Sequence, residues 1–210
     1  MAVTYPILSL VSESTTPDQT GNGQSMLGVG GTQALSANGR YVVFTSEATD
    51  LLAGGNSAGN IFVRDLETGT VTLVSVGTEA ANNVSSLASI SDDGRYVVFR
   101  SSASNLVAGD TNGSDDIFVK DLQTGDLTRV SLGDDESQIA GGGNLPVISG
   151  NGRYVTFTSS TDGIVSGDSD ATSDVFRRDL QTGATVLVSQ DETGVANFSA
   201  LSTDGRYVAY

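Results

Sequence analysis

The chain has no cysteine, no histidine and no tryptophan, and only 3 prolines among its 210 residues. Without cysteine there are no disulfides, no thiolate metal sites and no thiol nucleophile. Without histidine, Ser-His-Asp catalysis, imidazole general bases and nearly all catalytic zinc sites are excluded. With 6 tyrosines and 7 phenylalanines as the whole aromatic complement, a sugar-stacking platform is poorly provided. Positive charge is also scarce, with 10 basic residues against 25 acidic ones and a net charge of -15. Such a surface repels phosphate backbones and anionic headgroups, so no nucleic-acid partner is expected. No apolar run approaches the roughly 18 residues that span a bilayer, so membrane insertion is not expected either. The opening Met1-Ala2-Val3-Thr4-Tyr5-Pro6 has no basic segment leading into an apolar stretch, and no signal peptide is read there.

What is abundant is glycine, at 26 residues, together with serine, threonine, asparagine and aspartate. This composition suits short strands joined by tight turns. The apolar residues fall in a recurring pattern. Asn38-Gly39-Arg40-Tyr41-Val42-Val43-Phe44 returns at Asp93–Phe99, at Asn151–Phe157 and at Asp204–Tyr210, with the arginines 55, 58 and 53 residues apart. Each of the first three copies is followed by a second signature: Ile61-Phe62-Val63-Arg64-Asp65-Leu66, Ile117-Phe118-Val119-Lys120-Asp121-Leu122 and Val175-Phe176-Arg177-Arg178-Asp179-Leu180. A Thr-Gly pair and then a Val-Ser pair close each unit.

Each unit therefore holds four strand candidates, A to D. Strand A ends in an aliphatic-Ser pair, and an Asn-Gly or Asp-Gly turn leads into B. Strand B is apolar on both faces, so it belongs in the middle of a sheet covered on two sides. Four antiparallel strands per unit with such centres predict an all-β β-propeller, whose blades stack around an axis. A β-sandwich with internal similarity is the competing architecture. The spacing divides the chain into a leading D strand (Leu8-Ser9-Leu10-Val11-Ser12) with its connection over 1–32, blades over 33–85, 86–143 and 144–196, and strands A and B of an incomplete blade over 197–210.

The consensus aliphatic-Ser-x-Asx-Gly-Arg-Tyr-Val-x-Phe resembles the TolB-type, WD40-like (PD40) propeller repeat of bacteria, from about Gln33 to Tyr210. Ala37, Asp92, Gly150 and Thr203 stand where that family often has proline. The resemblance implies a non-catalytic scaffold that binds proteins or other ligands, in the periplasm, at the cell surface or outside the cell. Protein partners or other copies of the chain are the expected company.

Between strands B and C, oxygen donors recur at Asp110, Asn112 and Asp116 in the second unit and at Asp168, Asp170 and Asp174 in the third. Alternating Asp/Asn donors in a glycine-containing loop suit a structural Ca²⁺ ion, although no EF-hand glutamate or flanking helices are present. The same side chains equally well cap turns through local amides. The first unit has only Gly54, Asn56 and Asn60 there. The repeated Arg40, Arg95 and Arg153 have Asp65, Asp121 and Asp179 as candidate partners; the alternative is that they are solvated. The acidic run Asp134-Asp135-Glu136 lies in a connection between blades, where a solvated turn outweighs a glycosidase pair.

Overall fold

The computed structural model describes residues 11–15, 19–27, 33–53, 55–57, 59–169, 172–189 and 199–210. Three sheets of four antiparallel strands follow one another. The first is β1 (Ser25–Leu27), β2 (Tyr41–Ser46), β3 (Asn60–Asp65) and β4 (Val71–Leu73). The second is β5 (Ser85–Ile90), β6 (Tyr96–Ser101), β7 (Asp116–Asp121) and β8 (Leu127–Arg129). The third is β9 (Asn144–Ile148), β10 (Tyr154–Ser159), β11 (Asp174–Asp179) and β12 (Thr185–Leu187). A hairpin of β13 (Ala200–Leu201) and β14 (Val208–Ala209) completes the described residues, which contain no helix. Within each four-stranded sheet the spatial order is the chain order, so every connection is a local hairpin.

The hairpins form because the motif residues satisfy one another. Ser91 Oγ donates to Asp93 Oδ1 at 2.6 Å and accepts the Tyr96 amide at 3.0 Å, while Asp93 Oδ1 also accepts the Arg95 amide at 2.9 Å. The same three bonds recur around Ser36, Ser149 and Ser202. The turn glycines Gly39, Gly94, Gly152 and Gly205 sit at φ between 69° and 75°, a region that disfavours a Cβ. At the far end of each sheet, the serine of the Val-Ser pair caps strand C. Ser131 Oγ accepts the Ile117 amide and donates to Asp116 Oδ1, and Ser75 and Ser189 do likewise for β3 and β11.

Strands B and C pair in the same register in every sheet: Tyr96 opposite Asp121, Val98 opposite Val119, Phe99 opposite Phe118. Successive residues point to opposite faces. Val97, Phe99 and Phe118 enter a core shared with Val43, Ile61 and Val63 of the first sheet, while Val98, Ile117 and Val119 enter a second core with Val155, Phe157 and Phe176 of the third. The Phe pairs stack at 5.7, 5.8 and 5.7 Å between centroids. Each fully buried Phe contributes about 2–3 kcal/mol through its apolar area.

Two details differ from the boundaries read off the sequence. β1 pairs with β2 through Ser25–Leu27, inside the stretch 1–32 assigned to a connection, so the first sheet takes its edge from before residue 33. The A strands also bulge: β5 and β9 shift register against their partners, with Leu87 and Leu145 at positive φ. The leading D strand falls mostly outside the described residues, of which Val11 packs beside Phe44 and Phe62.

Neighbouring sheets also meet at their turns. A Cβ added at Gly94 would press into the Tyr41 ring, one at Gly152 into Tyr96 and one at Gly205 into Tyr154. Gly39 has the same φ but nothing within 4 Å. Gly39→Ala is therefore expected to cost only the backbone strain, about 1–2 kcal/mol, and Gly94→Ala clearly more. Denaturant unfolding of the two variants checks this: equal losses would mean the ring contact is unimportant.

Candidate functional site

The repeated Arg and Asp lie together on the B and C strands, beside the Asx-Gly turn. Arg40 Nε and Nη2 donate to the two oxygens of Asp65 at 3.0 and 2.7 Å. Arg95 holds Asp121 with Nη2 at 2.7 Å, and Arg153 holds Asp179 at 2.9 and 2.6 Å. These are the side-on, two-bond geometries in which guanidinium and carboxylate match best. Each guanidinium also lies over the tyrosine that follows it, 4.8–5.0 Å from the ring centroid. Each aspartate additionally accepts amides of the Thr-Gly turn, from Glu67, Gln123 and Gln181.

The arginines hold these carboxyls well below the ordinary carboxylate range, Asp121 and Asp179 at about 2. An aspartate with a depressed folded-state pKa adds stability that is present above its unfolded pKa near 4 and is lost as pH falls through the folded value. The melting temperature is therefore expected to drop between about pH 4 and pH 2. Asp121→Asn should lower it at neutral pH and shrink that acid-dependent drop. An unchanged acid limb in the variant would show the pair to be inert.

Open clefts lie along these clusters. One of about 570 Å³ between the first two sheets is lined by Tyr41, Asp65, Thr68, Arg95 and Gln123. Its counterpart of about 300 Å³ between the second and third is lined by Tyr96, Asp121, Arg153 and Gln181. A third, more polar cleft of about 460 Å³ is bordered by Arg100, Asp115, Asn144 and the glycines 141–143. Asp65 and Asp121, the ion-paired carboxylates of these two clefts, are strongly acidic, which makes them poor proton donors and weak bases at neutral pH. The arrangement suits binding by shape and hydrogen bonding.

In the second B–C loop the structure brings Asp110, Asn112 and Asp116 together. The positive charge beside them is Arg129, whose Nη1 lies 3.6 Å from Asp110 and 3.7 Å from Asp116. Gln138 Nε2 donates to Asp110 Oδ1 and Asp116 Oδ2, and Asn112 presents its Nδ2 to Asp116. Burial pushes the Asp116 carboxyl up despite its bond from Ser131. In the third loop Asp168 accepts the Ile164 amide and Asp174 caps β11 through Ser189. Asp170 and Gly54 lie outside the described residues. Asn56 Oδ1 accepts the Leu51 amide, and Asn60 accepts the Ser75 hydroxyl. No group of three or more acidic residues is arranged around an ion site among the described residues.

Arg129 and Gln138 escaped the sequence reading. The available signal was a departure between repeats, since Leu73 and Leu187 stand where Arg129 does. Removing one partner of a buried charge cluster leaves the others uncompensated, so Arg129→Leu should cost about 3 kcal/mol or more. Adding Asp116→Asn reproduces the Asn60–Leu73 pair of the first sheet and should recover much of that loss. A double-mutant cycle showing no coupling would overturn this assignment.

No protein-family model matches the chain, and no curated protein is significantly similar to it. Solved structures do match. TolB from Acinetobacter baumannii superposes with a TM-score of 0.54 and 21% identity, covering 89% of this chain and 38% of that one. The fold is a TolB-like β-propeller. A putative TolB from Agrobacterium tumefaciens is also similar, at TM-score 0.46 and 17% identity over 74% of this chain and 47% of that one. So is an oligogalacturonate lyase from Vibrio parahaemolyticus, at 0.49 and 14% over 85% and 45%. The chain spans less than half the length of each of these proteins. This TolB-like propeller has three complete four-stranded blades among the described residues, and the two-stranded hairpin follows the third.

Proposed function

We propose that this propeller is a non-catalytic interaction module that binds protein partners outside the cytoplasm. One observation carries the reading: the ionisable side chains repeated in every blade are spent on one another. Arg40, Arg95 and Arg153 are paired with Asp65, Asp121 and Asp179, so the recurring carboxylates of the inter-blade clefts serve architecture. What remains for recognition is a turn-rich surface in a chain of net charge -15. Such a surface draws basic partners by long-range attraction that salt screens. The TolB likeness supports the scaffold role and the location beyond the inner membrane.

A peptide array probed with the purified chain tests the proposal. Hits enriched in Lys and Arg, at least tenfold weaker in high salt, are expected, together with inert behaviour on glycoside, polyuronide and ester substrates. Turnover of any of these, or hits indifferent to charge, would replace the reading with an enzyme or a glycan binder.

A further inference from the structure

Strand C carries a cation at the same register in every sheet: Arg64, Lys120 and Arg178. In the first sheet Arg64 Nη2 meets Glu13 Oε2 at 2.5 Å, and in the third Arg178 Nη2 meets Glu136 Oε2 at 2.5 Å. Among the described residues Lys120 makes no such ion pair. Its ammonium donates to Val76 O at 3.0 Å and to Gly125 O at 2.7 Å, which leaves one N–H for a further acceptor. Lys120 is only 9% exposed, and burial pushes its amine below the ordinary lysine value. A desolvated cation gains more from an arriving anion than a solvated one does.

The missing carboxylate traces to the length of one connection. Between Leu132 and Gln138, which pair with each other, the chain runs Gly133-Asp134-Asp135-Glu136-Ser137. Between Val76 and Ala80, which pair in the same way, it has only Gly77-Thr78-Glu79. The closing bond is the same in both: the Gly133 amide donates to Ser137 O, and the Gly77 amide to Glu79 O. Asp135 and Glu136 therefore have no counterpart in the connection that leads into the second sheet.

An open cleft of about 590 Å³ lies there, bordered by Gly77, Thr78, Leu106, Gly125 and Leu127. In the third sheet Ile164, Gly183 and Thr185 stand where Leu106, Gly125 and Leu127 do, and all three touch the acidic run. Ile164 O accepts the Asp134 amide, the Thr185 amide donates to Asp134 Oδ1, each at 3.3 Å, and Gly183 lies against Glu136 Oε1. The space that the third sheet fills with its own acidic turn is thus open in the second, with the Lys120 ammonium at its edge.

We propose that this cleft binds an acidic turn of a partner protein, whose glutamate carboxylate pairs with Lys120 as Glu136 pairs with Arg178. The occupant is a peptide turn because the third sheet holds its own through a backbone amide as well as through carboxylates. Asp126 also borders the cleft, its carboxylate held by Thr124 Oγ1 at 2.7 Å, and it weakens the site for an anion. The third sheet has Ala184 at that position. With a net charge of -15 the chain as a whole opposes an acidic ligand, so the contact depends on this one desolvated lysine. The inference goes beyond the reading of basic partners and does not rest on it: that reading concerns the acidic surface at large, and this one a single cation.

Nuclear magnetic resonance titration of the isotope-labelled chain with the capped peptide Gly-Asp-Asp-Glu-Ser tests it. Saturable shifts are expected at the amides of Gly77, Thr78, Leu106, Gly125 and Leu127. The peptide with glutamine in place of glutamate should bind at least tenfold more weakly, and so should the Lys120→Gln chain with the original peptide. Lys120→Arg should keep the binding, and Asp126→Ala should tighten it. A chain with Asp-Glu inserted after Thr78 should melt higher and no longer bind, because its own turn then fills the cleft. Melting of each variant verifies that it is folded. The glutamine peptide and the insertion probe the same pair without altering Lys120, so the test survives a Lys120→Gln chain that fails to fold. No saturable shifts at millimolar peptide, shifts confined to other surfaces, equal binding of the glutamine peptide, or glutarate binding as tightly as the peptide would overturn the proposal.

Discussion

A sheet that is apolar on both faces cannot exist alone in water, and this constraint governs the molecule. In β6, Val97, Val98 and Phe99 are all fully buried, and neighbours along a strand face opposite sides. Two of the three enter the core with the first sheet and one enters the core with the third. Each blade thus depends on its neighbours for much of its apolar burial. Stability is then nearly a sum of sheet terms and nearest-neighbour interface terms, as in other repeat architectures. No single sheet owns the core.

Apolar faces alone would let sheets slide, and polar residues set the position. The Ser-x-Asx-Gly-Arg turn locks hairpin A–B, the Arg–Asp pair ties B to the C–D turn, and the tyrosine reaches the glycine of the next sheet. Asn38 and Asn151 serve as well as Asp93 and Asp204 because the turn itself uses only Oδ1, which accepts a hydroxyl and an amide. The position at the start of strand C is different. Asn60 uses both ends of its amide, donating to Ser57 while accepting from Ser75. Asp116 at the same register needs donors on both oxygens, and Gln138, Asn112 and Arg129 surround it. One substitution within the repeat has altered its whole surroundings.

This explains which parts of the structure the sequence disclosed. Strand order, B–C register and the Arg–Asp pairs follow from motifs repeated three times, because identical local chemistry recurs at identical spacing. The seating of Tyr96 at Gly152 was hidden, since it joins residues 56 apart in different repeats. So was the edge strand at Ser25–Leu27, where no aliphatic-Ser pair marks it. The loop donors read as a calcium pattern lie among amide donors and a guanidinium in the second blade. Spacing along the chain records which oxygens can converge, and leaves open what arrives from the neighbouring strand to meet them. Arg129 comes from β8, and only a comparison of repeats at that strand singles it out.

The third sheet shows how the array is graded. Where the first two sheets turn Val43–Val63 and Val98–Val119 toward their successors, the third presents Thr156 opposite Arg177. Thr156 bonds Ser199 at 2.8 Å, and Arg177 donates to Gly205 O while lying over Tyr154. A valine pair gains from any apolar surface that covers it, whereas these groups gain only from partners placed at bonding distance. The hairpin β13–β14 is thus held to the third sheet largely by directional bonds, and a misplaced neighbour would leave a threonine hydroxyl and a guanidinium unsatisfied. Interfaces of the first kind supply cohesion, and this one supplies selectivity for the hairpin that follows the third blade.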